Sequence, residues 1–296
     1  MTTLSAFLQG ILQGLTEFLP VSSSGHLSLY QYLTGISSES SAVFSVMLHL
    51  GTLLAVIIAF RKTVWRLIVE FFRMLGDLFT GRLFKKGQHP APERRMLYFL
   101  MLSCVPLLFV LPLKNVISGI SADNDIIAEG VCFLITAAIL FLGDRAAHGH
   151  KKAASMTAKD SVLVGVAQAV ATLPGISRSG STISAGLLCG FDRSYAVSYS
   201  FILGLPAVLG AGLLDLKDVL GGEVAGISMG PALVGMLTAA VFGLLAIGLV
   251  RWLVKSDKFR IFAYYTLVIG VLTLGLGIYE AASGHAIQTL IAGLIR

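Results

Sequence analysis

Six stretches of the chain, roughly 42–60, 96–113, 126–143, 196–214, 231–250 and 261–279, are each long and apolar enough to cross a lipid bilayer. A helix needs about 20 such residues to do so. Lipid offers the backbone no hydrogen-bond partners, so a spanning segment must satisfy its own, as helices do. Composition agrees: of 296 residues 55% are hydrophobic and 13% charged, where a soluble domain carries about 25% charged residues. The chain reads as an all-α polytopic membrane protein, with residues 1–296 in one membrane domain.

The polar segments between the spans sort by charge. Residues 61–95, 144–159 and 251–260 are rich in Lys and Arg, whereas 114–125 and 215–230 are poor in them. The basic set is cytoplasmic by the positive-inside rule, and both termini then lie on the outer side. The net charge of +6 follows from these loops and implies no nucleic-acid partner. Cys104, Cys132 and Cys189 lie in apolar stretches without ligand spacing and read as packing residues. The N-terminal segment "MTTLSAFLQGILQG" lacks a basic leader and runs into Gln13 and Glu17, so no cleavable signal is expected.

Two apolar segments remain, 4–34 and 160–190, each broken by proline, glycine and serine. Neither can span without reversing the charge pattern, so each reads as a re-entrant helix–loop–helix. Such broken backbone survives at depth only when covered by protein or water. A shift of 155 residues superposes Gly10 on Gly165, Gln13 on Gln168, Ser22 on Ser177, Ser24 on Ser179, Gly25 on Gly180 and Gly35 on Gly190. Residues 1–155 and 160–296 then form two repeats of one hairpin and three spans. The odd number of spans inverts the second copy, which puts a functional site where the broken helices meet.

The breaks carry the chemistry. Gln13 and Glu17 share a helix face, Pro20 ends that helix, and "VSSSGH" opens the next, with Ser22, Ser23 and Ser24 as candidate N-caps. The second break, "PGISRSGST", repeats the device. Two helix N-termini facing each other offer N–H groups and positive dipole ends to an anion. Ser177, Ser179 and Thr182 add hydroxyls, and Arg178 adds a planar fork suited to phosphate. A charge at bilayer depth costs about 2.5–3.5 kcal/mol on insertion scales, so Arg178 is expected to face protein or a water-filled cavity. Glu17 and His26 on one hairpin, opposite Arg178, complete a reactive set. His49, within the first span, reads as structural. His89, His148, His150 and His285 read as solvated, and Asp192–Arg193 as a boundary ion pair.

"QGLTEFLPVSSSGH" and "PGISRSGST" resemble the two signature regions of undecaprenyl-diphosphate phosphatases, the membrane enzymes linked to bacitracin resistance. Gln13 and Glu17 match the first motif. Pro174, Gly175, Ser177, Arg178, Ser179 and Thr182 match the second, and Ser23 and His26 match a serine and histidine that follow the first. The resemblance implies hydrolysis of undecaprenyl diphosphate to the monophosphate and phosphate, recycling the lipid carrier for peptidoglycan. It implies Glu17, Ser23, His26 and Arg178 as catalytic residues, with Ser22, Ser24, Gly25, Ser177, Ser179 and Thr182 around the diphosphate. His26 could attack phosphorus, or serve as base for Ser23 or water, with Glu17 orienting it. A divalent cation, Mg²⁺ or Ca²⁺, would arrive with the diphosphate and meet Gln13 and Glu17; Gln at 13 leaves one carboxylate fewer than in some members. No organic cofactor is implied. The partners are a polyprenyl diphosphate and membrane lipid, and a homodimer is admitted. The expected location is the bacterial cytoplasmic membrane, with the site open to the outer face. The competing reading is a secondary transporter or flippase of an anionic or lipid substrate, for which inverted repeats and broken helices are usual.

Overall fold

The computed structural model describes residues 2–35, 42–80, 90–113, 125–220, 229–284 and 286–288. The helices are α1 (Thr3–Phe18), α2 (Ser23–Thr34), α3 (Ala42–Ala59), α4 (Arg61–Phe79), α5 (Pro92–Leu108), α6 (Ile127–Asp144), α7 (Ala158–Val170), α8 (Arg178–Leu188), α9 (Arg193–Leu220), α10 (Met229–Lys255) and α11 (Arg260–Ser283). Among the described residues there is no strand, only an isolated bridge between Lys151 and Phe191. Among the described residues four helices are long and apolar enough to cross a membrane, and a fifth candidate is the bent pair α3–α4. The sixth expected span falls on α9, whose side chains are described as far as Gly210. The molecule is an all-α, multi-pass membrane protein. Its helices turn side chains such as Leu245, Val268 and Leu272 outward, as a lipid solvent requires.

Close helix contacts depend on small residues. A Cβ on Gly10 would fall 2.6 Å from the Gly235 carbonyl oxygen, and one on Gly14 2.6 Å from that of Ala239. These glycines, four apart on α1, let its backbone lie directly on α10, the small-xxx-small device of membrane helices. Helix α10 also packs on α3, and α3 on α1, so the first helix of the broken hairpin is clasped by spans from both halves of the chain.

Residues 61–79, expected within a loop, form helix α4 instead. It leaves α3 at Phe60 with a bend of 92°. Leu67, Glu70 and Met74 face inward while Trp65, Phe72 and Phe79 are exposed beside Arg61, Lys62, Arg66 and Arg73. Apolar residues on a helical period with basic neighbours suit the membrane–water boundary; the density of charge masked that period in the sequence. Arg94 ties α5 to α4 through Glu70 at 2.5 Å and Asp77 at 2.7 Å. Arg193 pairs with Asp257 at 2.9 Å, not with its neighbour Asp192, whose carboxylate accepts from the Tyr195 N–H at 3.0 Å. A first-turn aspartate caps its own helix more readily than it folds back onto the next side chain. His148 and His150 are exposed, His148 lying 3.1 Å from Asp257. His89, His285 and residues 114–124 and 221–228 fall outside the described residues, and 215–220, expected within a loop, continue α9.

Candidate active site

The two breaks are built alike. Ser22 caps α2 with a positive φ of 72°, and its hydroxyl accepts from the Gly25 N–H at 3.3 Å. Ser177 caps α8, its hydroxyl accepting from the Gly180 N–H at 3.0 Å. Each cap also touches the serine two residues on, Ser24 at 3.4 Å and Ser179 at 3.3 Å. Those two serines join the breaks: the Gly175 N–H donates to Ser24 Oγ at 3.2 Å, and Ser179 Oγ donates to the Leu19 carbonyl at 3.3 Å. Close approach demands glycine here. A Cβ on Gly25 would fall 2.7 Å from the Phe133 ring and 3.2 Å from Gly175 Cα, and Gly175 itself has φ +88°. Non-glycine residues at positive φ store strain, of order 1–3 kcal/mol, and cluster at functional sites; Ser22 is one.

Beside this junction lies a charged centre. Arg178 Nη2 donates to Glu17 Oε1 at 2.5 Å. The other carboxylate oxygen accepts from Ser23 Oγ at 2.6 Å and from Gln13 Nε2 at 3.0 Å. Glu17 is buried, and the Arg178 side chain is 20% exposed. Arg178 Nη1 is buried with no hydrogen-bond partner among the described residues. It lies against Gly204 on α9, whose missing side chain makes its room.

A small space of about 10 Å³ between Glu17, Arg178 and Gly204 touches the centre itself, and two larger ones lie beside it. One is a polar cavity of about 170 Å³ whose lining includes Gln9, Gln13, Ser23, Ser24, Ser28 and His49. The other is an apolar groove of about 560 Å³ between α1, α2, α10 and α11, with Leu15, Leu19, Leu249 and Phe262 among its walls. His26 faces the groove. Its Nδ1 lies 2.7 Å from the Ser22 carbonyl and its Nε2 2.9 Å from the Tyr265 hydroxyl. A carbonyl only accepts, so Nδ1 carries the proton, and the Nε2 of the neutral ring accepts from Tyr265. The ring stacks on Tyr265 and meets Phe133 edge-on.

Compared with known proteins, residues 6–272 match the family model of the bacitracin resistance protein BacA. The chain belongs to the BacA family. It is 39% identical to an undecaprenyl-diphosphatase of Methanosphaera stadtmanae, over 93% of this chain and 98% of the relative. It is 38% identical to one of Korarchaeum cryptofilum, over 93% of this chain and 100% of the relative. It is 37% identical to undecaprenyl-diphosphatase 4 of Bacillus thuringiensis subsp. konkukian, over 93% and 98%.

In this BacA chain the residues singled out in the sequence divide into groups. Gln13, Glu17, Ser23 and Arg178 converge on one carboxylate. Ser22, Gly25, Ser177, Ser24 and Ser179 build and join the caps. Thr182 stands apart: its hydroxyl donates to the Arg178 carbonyl at 2.8 Å and lies 2.6 Å from Ser200 Oγ, binding α8 to α9 rather than lining the polar cavity. His26 departs from expectation too. Both its nitrogens are engaged, and Glu17 spends its bonds on other groups. Ser23 and His26 are three residues apart, which separates their directions by about 60° around a helix. One therefore looks onto Glu17 and the other into the groove. Tyr265 and the cavity-facing position of His49 were not legible as site features; a histidine within an apolar span was the one signal.

Gln13 and Glu17 fit a resident divalent cation poorly. Among the described residues no three His, Cys, Asp or Glu side chains group to hold a metal, and both Glu17 oxygens already accept hydrogen bonds. Gln13 Oε1, buried with no hydrogen-bond partner among the described residues, is the oxygen that these two residues have left to offer.

Proposed function

We propose that this chain hydrolyses undecaprenyl diphosphate to undecaprenyl phosphate and inorganic phosphate, returning the lipid carrier to peptidoglycan synthesis and so conferring bacitracin resistance. The observation that carries the reading is the convergence of Ser23, Glu17 and Arg178 where the two breaks meet. Phosphoryl transfer asks mainly for positioning and for neutralised oxygen charge. Here Ser23 is the nucleophile. Its Oγ bonds to the terminal phosphorus as the bridging P–O bond breaks, and undecaprenyl phosphate leaves. The hydroxyl proton passes to Glu17. The Arg178 side chain, 20% exposed, neutralises a phosphate oxygen drawn toward it, and the serine-capped helix ends add positive dipole. Water then cleaves the phosphoserine, and Glu17 returns the proton to Ser23.

The prenyl chain occupies the apolar groove, while the diphosphate meets the polar cavity. His26, held between the Ser22 carbonyl and Tyr265, is a positioning residue at the boundary of the two spaces. A divalent cation, Mg²⁺ or Ca²⁺, would enter with the diphosphate, and Gln13 Oε1 would be one protein oxygen open to it. The matched positions at a 155-residue shift and the matched caps support an inverted repeat of residues 1–155 and 160–296. The location is the bacterial cytoplasmic membrane, with the site open to the outer face opposite the basic segments. Purified protein in detergent should release phosphate from a polyprenyl diphosphate, and Ser23→Ala should not. Transport without hydrolysis would require a sealed membrane, so the absence of phosphate release in detergent would return the transporter reading.

A further inference from the structure

His49 is the histidine of this site with a nitrogen to spare. It sits within α3, at a depth where a polar side chain is costly and its presence points to function. Its Nδ1 lies 2.7 Å from the Ser45 carbonyl of its own helix. That carbonyl can only accept, so Nδ1 is the donor of this bond, and Nε2 is left as the ring's acceptor. No donor meets Nε2 among the described residues, in contrast to His26, and the ring lines the polar cavity with Ser23, Ser24 and Gln13.

The second half of the chain underlines the difference. At a 155-residue shift Ser28, Phe44, Leu48 and His49 correspond to Ile183, Tyr199, Leu203 and Gly204. Ile183, Tyr199 and Leu203 are fully packed into the core, and at Gly204 the guanidinium of Arg178 takes the space of a side chain. The first half therefore supplies a lined cavity and a base, and the second supplies the cation.

We infer that His49 Nε2 is the proton acceptor for the water that cleaves the phosphoserine, an inference that rests on the hydrolytic reading with Ser23 as nucleophile. In that step the water oxygen bonds to phosphorus as the Ser23 Oγ–P bond breaks. One water proton passes to His49 Nε2, Ser23 Oγ recovers its own from Glu17, and phosphate leaves. His49 then gives its proton to water in the cavity. Glu17 does not serve both steps, because it holds the serine proton until the bond to Oγ breaks and is bound to Arg178 throughout.

His49→Asn tests the inference. The asparagine amide nitrogen replaces Nδ1 and keeps the bond to Ser45, while the Nε2 position is lost. Full-length protein in detergent is mixed with a prenyl diphosphate labelled on its terminal phosphorus and quenched in acid. The expected result is a fall of about 100-fold or more in steady-state phosphate release, the low end for general base catalysis. It comes with near-stoichiometric, acid-stable label on the protein, removed by Ser23→Ala in the same background. That label itself counts folded, competent sites. Steady-state release near wild type, or a comparable fall without trapped label in protein of unchanged thermal stability, overturns the assignment. Failure of the wild-type protein to release phosphate at all would instead bring down the hydrolytic reading beneath it.

Discussion

Arg178 and Glu17, 161 residues apart in sequence, are joined by a 2.5 Å charge-assisted hydrogen bond where the two breaks meet. The pair ties the halves of the chain together inside a low-dielectric site. Removing one member leaves the other charge buried and uncompensated, at a cost of about 3–5 kcal/mol. Glu17→Ala should therefore unfold at markedly lower temperature in detergent. The double variant Glu17→Ala/Arg178→Met should be less destabilised than the sum of the single changes. Strict additivity in thermal unfolding would show that the two charges do not depend on each other.

The same guanidinium separates charge from geometry. Arg178→Lys keeps the positive charge and loses the planar fork that can hold Glu17 and a phosphate together. Diphosphate hydrolysis should fall steeply while expression and detergent stability stay near wild type. Activity close to wild type would remove bidentate binding from the mechanism.

His26 calls for a different comparison. Its Nδ1–H fixes the Ser22 carbonyl, and with it the turn that carries Ser23. His26→Asn retains a donor at that position, so it should keep well above the activity of His26→Ala. A nucleophilic or basic histidine would leave both variants equally inactive. Steady-state kinetics on the pair decides between the roles.

How far the sequence reaches is clear from these residues. The spans, the two breaks and the caps at Ser22 and Ser177 follow from local rules: apolar length, proline, and a serine before a helix. What was not legible is the identity of long-range partners. Nothing local pairs Tyr265 with His26 across 239 residues, or sends Arg193 to Asp257 in place of Asp192. Helix α4 was hidden for the opposite reason, since its dense basic charge outweighed a helical period in the apolar residues. Glu17 and Arg178 were both legible as site residues, but their pairing was not: two charges at depth demand partners, and only the fold says that each is the other's.

Orientation in the membrane is open to direct measurement. The positive-inside rule predicts that α4, the 144–159 connection and the end of α10 lie on the cytoplasmic side; His148 is exposed on the second of these. In a background lacking Cys104, Cys132 and Cys189, a cysteine at position 148 should react with an impermeant maleimide in inverted vesicles and not in intact cells. Labelling from outside intact cells would reverse the topology.

Gly204 gives the most local test of how the site is held. A Cβ at this position would collide with the Arg178 guanidinium at Nη1 and press on Cζ at 2.9 Å. The guanidinium has little freedom to yield, since it is bound to Glu17 on one side and α9 closes the other. Overpacking of this kind costs about 1–3 kcal/mol, and here it falls on the charged centre. Gly204→Ala should lower phosphate release well beyond its effect on thermal stability, by displacing Arg178 from Glu17. Gly210→Ala, on the same helix with nothing within 4 Å of the added Cβ, should leave activity unchanged and gain slightly in helix stability. Equal activity in the two variants would mean that the contact of Gly204 with Arg178 does not position the arginine.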